Sequence, residues 1–281
     1  MARHTVCATP QSIEVGDSVT GGNRFAGALL DLDGTVYRGS SLIPGARTGI
    51  ERLRERGIDV CFLTNKAIRR CESYRRKLTG LGISVTSKQI LTSSVITADY
   101  LLAECPESVS FVVGEAALVE ELHDQGLETT TDPERADVVV ASMDRSFDYK
   151  TLAAAHRAIE GGARFLATNS DRTCPVADGE IPDAAGMIGA IEGVTGRELD
   201  LVMGKPSSVA IQAAMRSLAV DPADCLLIGD RLETDVLMGN RAGMTSVLVC
   251  SGVTDRADLE DASIQPDFVL ETLGEIETVI G

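Results

Sequence analysis

One recurring unit constrains this chain more than any other feature. A short, almost wholly apolar run halts at a polar cluster, and a stretch with helical spacing follows. Residues 25–30 form the first such run, and residues 31–35 read D-L-D-G-T. Helical spacing then covers 43–56, through Ile43, Ala46, Ile50 and Leu53, and stops at Gly57. Residues 58–63 are apolar again and lead into Thr64-Asn65 and a helix over about 67–80; Ile90-Leu91 closes a third short strand. The rhythm returns near the other end, with a helix at 207–218, a strand at 225–228 ending in Gly229-Asp230, a helix at 234–242 and strands at 246–250 and 267–270. Buried strands alternating with helices specify a parallel α/β sheet covered on both faces.

The residues between have an α/β pattern of their own. Helices are expected at 95–104, 116–125 and 149–160, and strands at 109–113, 137–141 and 164–167, the last ending in Thr168-Asn169. The expected division is an extension at 1–24, a first domain built from 25–92 and 191–281, and an inserted second domain at 93–190. The helix near 187–195 is assignable to either. Spacing points the same way. Asp31 and Thr64 lie 33 residues apart, room for one crossover, whereas Thr64 and Lys205 lie 141 apart. A crossover and strand need about 40 residues, which leaves roughly 100 for an insertion.

In an open parallel sheet, ligands bind at the carboxyl ends of the strands. Four polar clusters sit at such ends: Asp31 with Asp33, Thr64 with Asn65, Lys205 in M-G-K-P-S, and Asp230 with Asp235 in G-D-R-L-E-T-D. Each alone has an ordinary reading. Asp, Gly and Thr make turns, Thr caps helices, a lysine can be an exposed charge, and acids favour helix N-termini. The lysine loop is not a Walker A loop, because Leu199 and Pro206 stand where that pattern needs Gly and Ser or Thr. Together the clusters can supply a hard oxygen site for a divalent cation and donors for a phosphoryl group.

Charge narrows the partners. With 26 basic and 42 acidic residues the formal net charge is −16, which argues against nucleic acid and anionic membranes. A small anionic ligand stays compatible, since local donors can offset the global field. Only five residues are Lys (66, 77, 88, 150 and 205). That scarcity suits a high-salt cytoplasm and equally a GC-rich genome. The seven Cys form no CxxC pair and the three His lack metal-ligand spacing, so neither a structural zinc nor a disulfide framework is expected. Residues 1–24 have no apolar signal-peptide core and read as a mobile extension. No run approaches the ~18 apolar residues of a membrane helix, so a cytoplasmic protein is expected.

In order and spacing, D-L-D-G-T, L-T-N, G-K-P and G-D-R-L-E-T-D resemble the four motifs of the haloacid dehalogenase (HAD) superfamily. Within it the chain is similar to the NagD / p-nitrophenylphosphatase-like group (type IIA, C2 cap), whose lid lies between the second and third motifs. The resemblance implies a Rossmann-like parallel-sheet core with an inserted α/β cap. It implies an Mg²⁺-dependent phosphomonoester hydrolase acting on a small phosphorylated metabolite, such as a sugar phosphate, glycerol phosphate, phosphoglycolate or nucleotide. Asp31 would be the nucleophile that forms an aspartyl-phosphate, and Asp33 the general acid and base. Mg²⁺ would be held by Asp31, the Asp33 carbonyl and Asp230, with Asp235 orienting a metal-bound water. Thr64, Asn65 and Lys205 would hold the phosphoryl oxygens. Residues 168–171 read T-N-S-D, where T-N-P-D is usual in the group, and Asn169, Asp171 and Arg172 are the implied leaving-group contacts. An acid at position 33 argues against haloacid hydrolysis, because the dehalogenases lack it. A phosphotransferase or mutase fits the same motifs. A non-catalytic phosphometabolite-binding regulator would require loss of a catalytic group, and every expected acid is present. Cap-mediated homodimers occur in similar proteins.

Overall fold

The computed structural model describes residues 24–176 and 179–281. Residues 1–23, nearly all of the expected extension, lie outside the described residues. Two parallel sheets organise the rest. The first has six strands in the order Phe268–Leu270, Thr245–Val249, Cys225–Gly229, Gly27–Leu30, Asp59–Thr64 and Ile90–Thr92. The second has five, in the order Leu201–Val202, Arg164–Ala167, Val138–Ala141, Val109–Val113 and Glu128–Thr130.

The first sheet is apolar on both faces because alternate residues of each strand enter different cores. Ala28, Leu30, Val60, Phe62, Leu226 and Ile228 pack on one side with helices Ala46–Glu55 and Cys71–Gly80. Leu29, Cys61, Leu63 and Leu227 pack on the other with helices Ser93–Glu104 and Ser208–Leu218. The second core continues without a break into Leu118, Leu122, Val140 and Leu166 of the other α/β unit. A third core, with Phe111, Val139, Phe165 and Ile188, covers that unit's far face.

Helix boundaries follow local capping. Thr92 accepts from Val95 N at 3.2 Å and starts the helix two residues before the expected 95. Ser207 accepts from Ala210 N in the same way at 3.2 Å. The expected helix over 234–242 divides into a widened turn, Leu232–Val236, in which Val236 N reaches back to Arg231 O, and a short helix, Leu237–Ala242.

Two observations bear on the expected division. Helix Ala184–Thr195 places Ala184, Ile188 and Ile191 in the core of the second sheet. Leu201–Val202 is an edge strand of that same sheet. A boundary after 190 would cut this helix, and we propose placing it after Val202 instead. Several elements had no forecast in the sequence, among them the hairpin of Tyr37–Arg38 with Ser41–Leu42, the hairpin of Thr173–Val176 with Gly179–Pro182, strands Glu128–Thr130 and Leu201–Val202, and helix Glu277–Ile280. Among the described residues no helix is long and apolar enough to cross a membrane.

Candidate active site

Strand Gly27–Leu30 lies between Cys225–Gly229 and Asp59–Thr64, with Leu30 level with Ile228 on one side and Phe62 on the other. That register brings the residues at the three strand ends, Asp31, Asp230 and Thr64-Asn65, side by side. Lys205 arrives from the other sheet. After Leu201–Val202 the chain stays on the strand Arg164–Ala167 for two more bonds, Met203 N to Ala167 O and Gly204 N to Thr168 O, both 2.8 Å. Lys205 then turns towards the first sheet.

Its ammonium is 3% exposed and donates to Asp31 Oδ1 at 2.5 Å and to Asp235 Oδ1 at 2.6 Å. Burial disfavours that charge, but Asp235 and Asp31 outweigh it and raise the Lys205 pKa. The Asp31 carboxyl is raised well above the usual carboxylate range by burial, against the pull of Lys205 and with the push of Asp235 and Asp230. Asp230 is pushed up to about 6 by burial and by Asp235, while its bond from Val253 N, 2.7 Å, acts the other way. Asp235 also accepts from Arg231 N at 3.1 Å, so the widened turn holds it facing Lys205.

Two glycines make room for Asp230. A Cβ on Gly252 would lie 1.9 Å from Asp230 Oδ2, and one on Gly34 would lie 2.3 Å from it. Gly34 also has φ +92°, which side chains resist. Asp33 sits beyond the turn, and its Oδ1 pairs with Lys66 Nζ at 2.9 Å.

Asn65 is the joint between the two sheets. Its Oδ1 accepts from Lys205 N at 2.7 Å, and its Nδ2 donates to Lys205 O and Asp171 Oδ2, each at 3.1 Å. Its amide is thus engaged with the protein. Thr64 is buried and its hydroxyl accepts from Lys66 N at 3.3 Å. The residues around Asn169 form an internal network: Asn169 Nδ2 donates to Asp171 Oδ2 and Asp183 Oδ1, each at 3.2 Å. Burial and Asp183 raise the Asp171 carboxyl. Arg172 is exposed and absent from the walls of both cavities described below.

A small cavity of about 50 Å³ collects this chemistry. Six carboxylates (Asp31, Asp33, Asp171, Asp183, Asp230 and Asp235) and three cations (Lys66, Lys205 and Arg231) line it. The structure therefore unites Asp31, Asp33, Thr64, Asn65, Lys205, Asp230 and Asp235 in one place. It adds Lys66, the residue after L-T-N, and Arg231, within G-D-R-L-E-T-D, neither of which carries a sequence mark distinguishing it from a surface cation. A second cavity of about 1270 Å³ opens from the first and shares Asp33, Lys66, Cys174 and Asp230 with it.

Comparison with known proteins agrees with this geometry. Residues 28–128 match the family described as haloacid dehalogenase-like hydrolase, and residues 202–276 match a second family described as HAD-hydrolase-like. A sugar-phosphatase, AraL of Bacillus subtilis, is 40% identical over 89% of this chain and 92% of its own. The structure of a p-nitrophenyl phosphatase from Archaeoglobus fulgidus superposes with TM-score 0.87 at 34% identity, covering 91% of this chain and 99% of that one. NagD from Escherichia coli K-12 gives TM-score 0.82 at 28% identity, covering 90% and 98%. With the strand-end site, these matches establish that the chain belongs to the haloacid dehalogenase-like hydrolases, among their NagD-like phosphatases.

Proposed function

We propose that the protein is a Mg²⁺-dependent phosphomonoester hydrolase that acts on a small phosphorylated metabolite through an aspartyl-phosphate. The observation that carries this reading is Asp31, its side chain 11% exposed at a strand end and 2.5 Å from the Lys205 ammonium, with Asp33 across the turn. Asp31 attacks phosphorus as the ester P–O bond breaks. Asp33 gives its proton to the departing alcohol oxygen, then takes one from the water that cleaves the acyl phosphate. Inorganic phosphate leaves and both carboxyl groups are restored. Lys205 faces both the nucleophile and the incoming phosphoryl oxygens, so its charge opposes the build-up of negative charge in the transition state. Thr64 presents a strand-end hydroxyl to the same oxygens. Asn65 acts one step back, holding the Lys205 backbone.

The residues fit a hard cation. Six carboxylates against three cations leave the small cavity with an excess of negative charge. Among the described residues no three acidic, imidazole or thiol side chains converge as a ready-made metal cage. Mg²⁺ habitually takes one or two carboxylates, water and a substrate phosphate, so no such cage is required. Asp31, the Asp33 carbonyl and Asp230 would hold it, and Asp235 would keep Lys205 and the turn in place beside them. When bound, Mg²⁺ neutralises phosphoryl charge.

The test is hydrolysis of p-nitrophenyl phosphate with Mg²⁺, with EDTA, and by Asp31→Asn. Turnover that EDTA stops and Mg²⁺ restores is expected, with loss of at least ~10³-fold in the variant. Near-full activity of folded Asp31→Asn would overturn the assignment.

A further inference from the structure

The large cavity has a charge opposite to that of the whole protein. Its walls carry six cations, Arg38, Lys66, Arg69, Arg76, Lys77 and Arg145, against two carboxylates, Asp33 and Asp230. The chain as a whole is at −16. Some of the six have partners: Lys66 pairs with Asp33, Arg145 with Glu115, and Arg38 Nη2 donates to Ser251 O at 2.8 Å. Arg76 has only a 3.6 Å contact with Glu72. Among the described residues neither Arg69 nor Lys77 is in an ion pair.

These free cations form a ridge. Arg69 precedes helix Cys71–Gly80, and Ser73, Arg76, Lys77 and Gly80 follow at helical spacing along the cavity wall. Tyr74 and Leu78 of the same helix are buried. Lys77 lies over the Tyr37 ring, 3.1 Å from its centroid, and burial pushes its pKa down to about 8. Tyr74 lines the same cavity at 3% exposure, and its hydroxyl has no hydrogen-bond partner among the described residues. A wall with six cations against two carboxylates, with Arg69 and Lys77 outside any ion pair among the described residues, describes a receptor for an anion.

We propose that the natural substrate carries a second anionic group, a carboxylate or another phosphate, on the alcohol side of the scissile ester, and that Arg69 and Lys77 bind it. This inference rests on the hydrolase reading above and narrows its substrate class. Asp33, the acid that protonates the leaving group, lines both cavities, which places the leaving group in the larger one. A neutral alcohol would leave the ridge facing only water.

The test compares esters with a three-carbon skeleton at fixed ionic strength: glycerol 1-phosphate, 3-phosphoglycerate and 1,3-propanediol bisphosphate, with p-nitrophenyl phosphate as reference. At least one of the two anionic esters should exceed glycerol 1-phosphate in kcat/KM by tenfold or more. Which one does so tells carboxylate from phosphate. In folded Arg69→Ala and Lys77→Gln, the ratio of kcat/KM for the preferred anionic ester to that for glycerol 1-phosphate should fall at least tenfold, chiefly through KM. Equal or better use of the neutral ester, or a ratio within twofold of the parent's in both variants, would overturn the inference while the hydrolase reading stood. No turnover of any ester, the nitrophenyl one included, would remove the hydrolase reading and this inference with it.

Discussion

Asn65→Leu isolates the joint between the two sheets. Leucine keeps the volume and removes the amide from a residue that is 7% exposed. Lys205 N–H loses its 2.7 Å acceptor and Lys205 C=O its 3.1 Å donor, while Asp171 loses one of its two amide donors. Leaving a buried backbone group without a partner costs about 1–3 kcal/mol. Two such groups give about 2–6 kcal/mol, less a few tenths for the apolar surface gained. For a chain of this size that is a fall in Tm of roughly 5–15 °C. Activity should fall further than stability explains. Freed from Asn65, the Lys205 backbone can shift by about 1 Å, and a displacement of that size near reacting atoms costs on the order of 10²-fold in rate. Differential scanning fluorimetry and kcat with p-nitrophenyl phosphate at 20 °C, where the variant remains folded, separate the two effects. Gly204→Ala should move both quantities the same way, because its Cβ would lie 2.5 Å from Asn65 Oδ1 and 2.7 Å from Thr168 O. If Asn65→Leu melted within 1 °C of the parent and kept kcat within threefold, the amide would not be what positions Lys205.

Two further outcomes test the electrostatics. Lys66→Met should lower kcat by about 10–100-fold, since Asp33 loses the partner 2.9 Å away that fixes its carboxylate, and Lys66→Arg should recover much of that loss in the same assay. Glu121 is buried beside Arg70 and Asp99; burial raises its carboxyl above the usual range, Arg70 opposes this and Asp99 adds to it. The folded protein therefore holds this proton more tightly than the unfolded chain, so the group penalises folding at high pH, and the penalty fades as pH falls through its folded value and is gone below the unfolded one. Glu121→Gln should raise Tm by about 1–3 °C at pH 8 and by nothing measurable once pH falls below the usual glutamate range, as read by thermal melts across pH.

What was legible in the sequence is the convergence, and what was not is the allocation of hydrogen bonds. Asp31, Thr64 and Asp230 are readable across 199 residues because a parallel sheet aligns its carboxyl ends and each apolar run ends where its polar cluster begins, while Lys205 reaches them from the other sheet. Strands Tyr37–Arg38 and Leu201–Val202 are two residues long, too short to show a period of two, and they exist only through pairing with distant or following segments. Asn65, Asn169 and Asp171 have side chains suited to a ligand, and sequence offers no means of knowing that buried neighbours claim them first. Asn65 takes Lys205, and Asn169 takes Asp171 and Asp183. The cationic ridge was visible as letters: Arg69, Ser73, Arg76 and Lys77 recur at helical spacing. A search for the apolar stripe finds Tyr74 and Leu78 and assigns the remainder to solvent. Only the cavity shows that this polar face looks inward. Binding surfaces on amphipathic helices are thus the part of such a site least accessible to periodicity, because a face turned to a ligand and a face turned to water have the same composition.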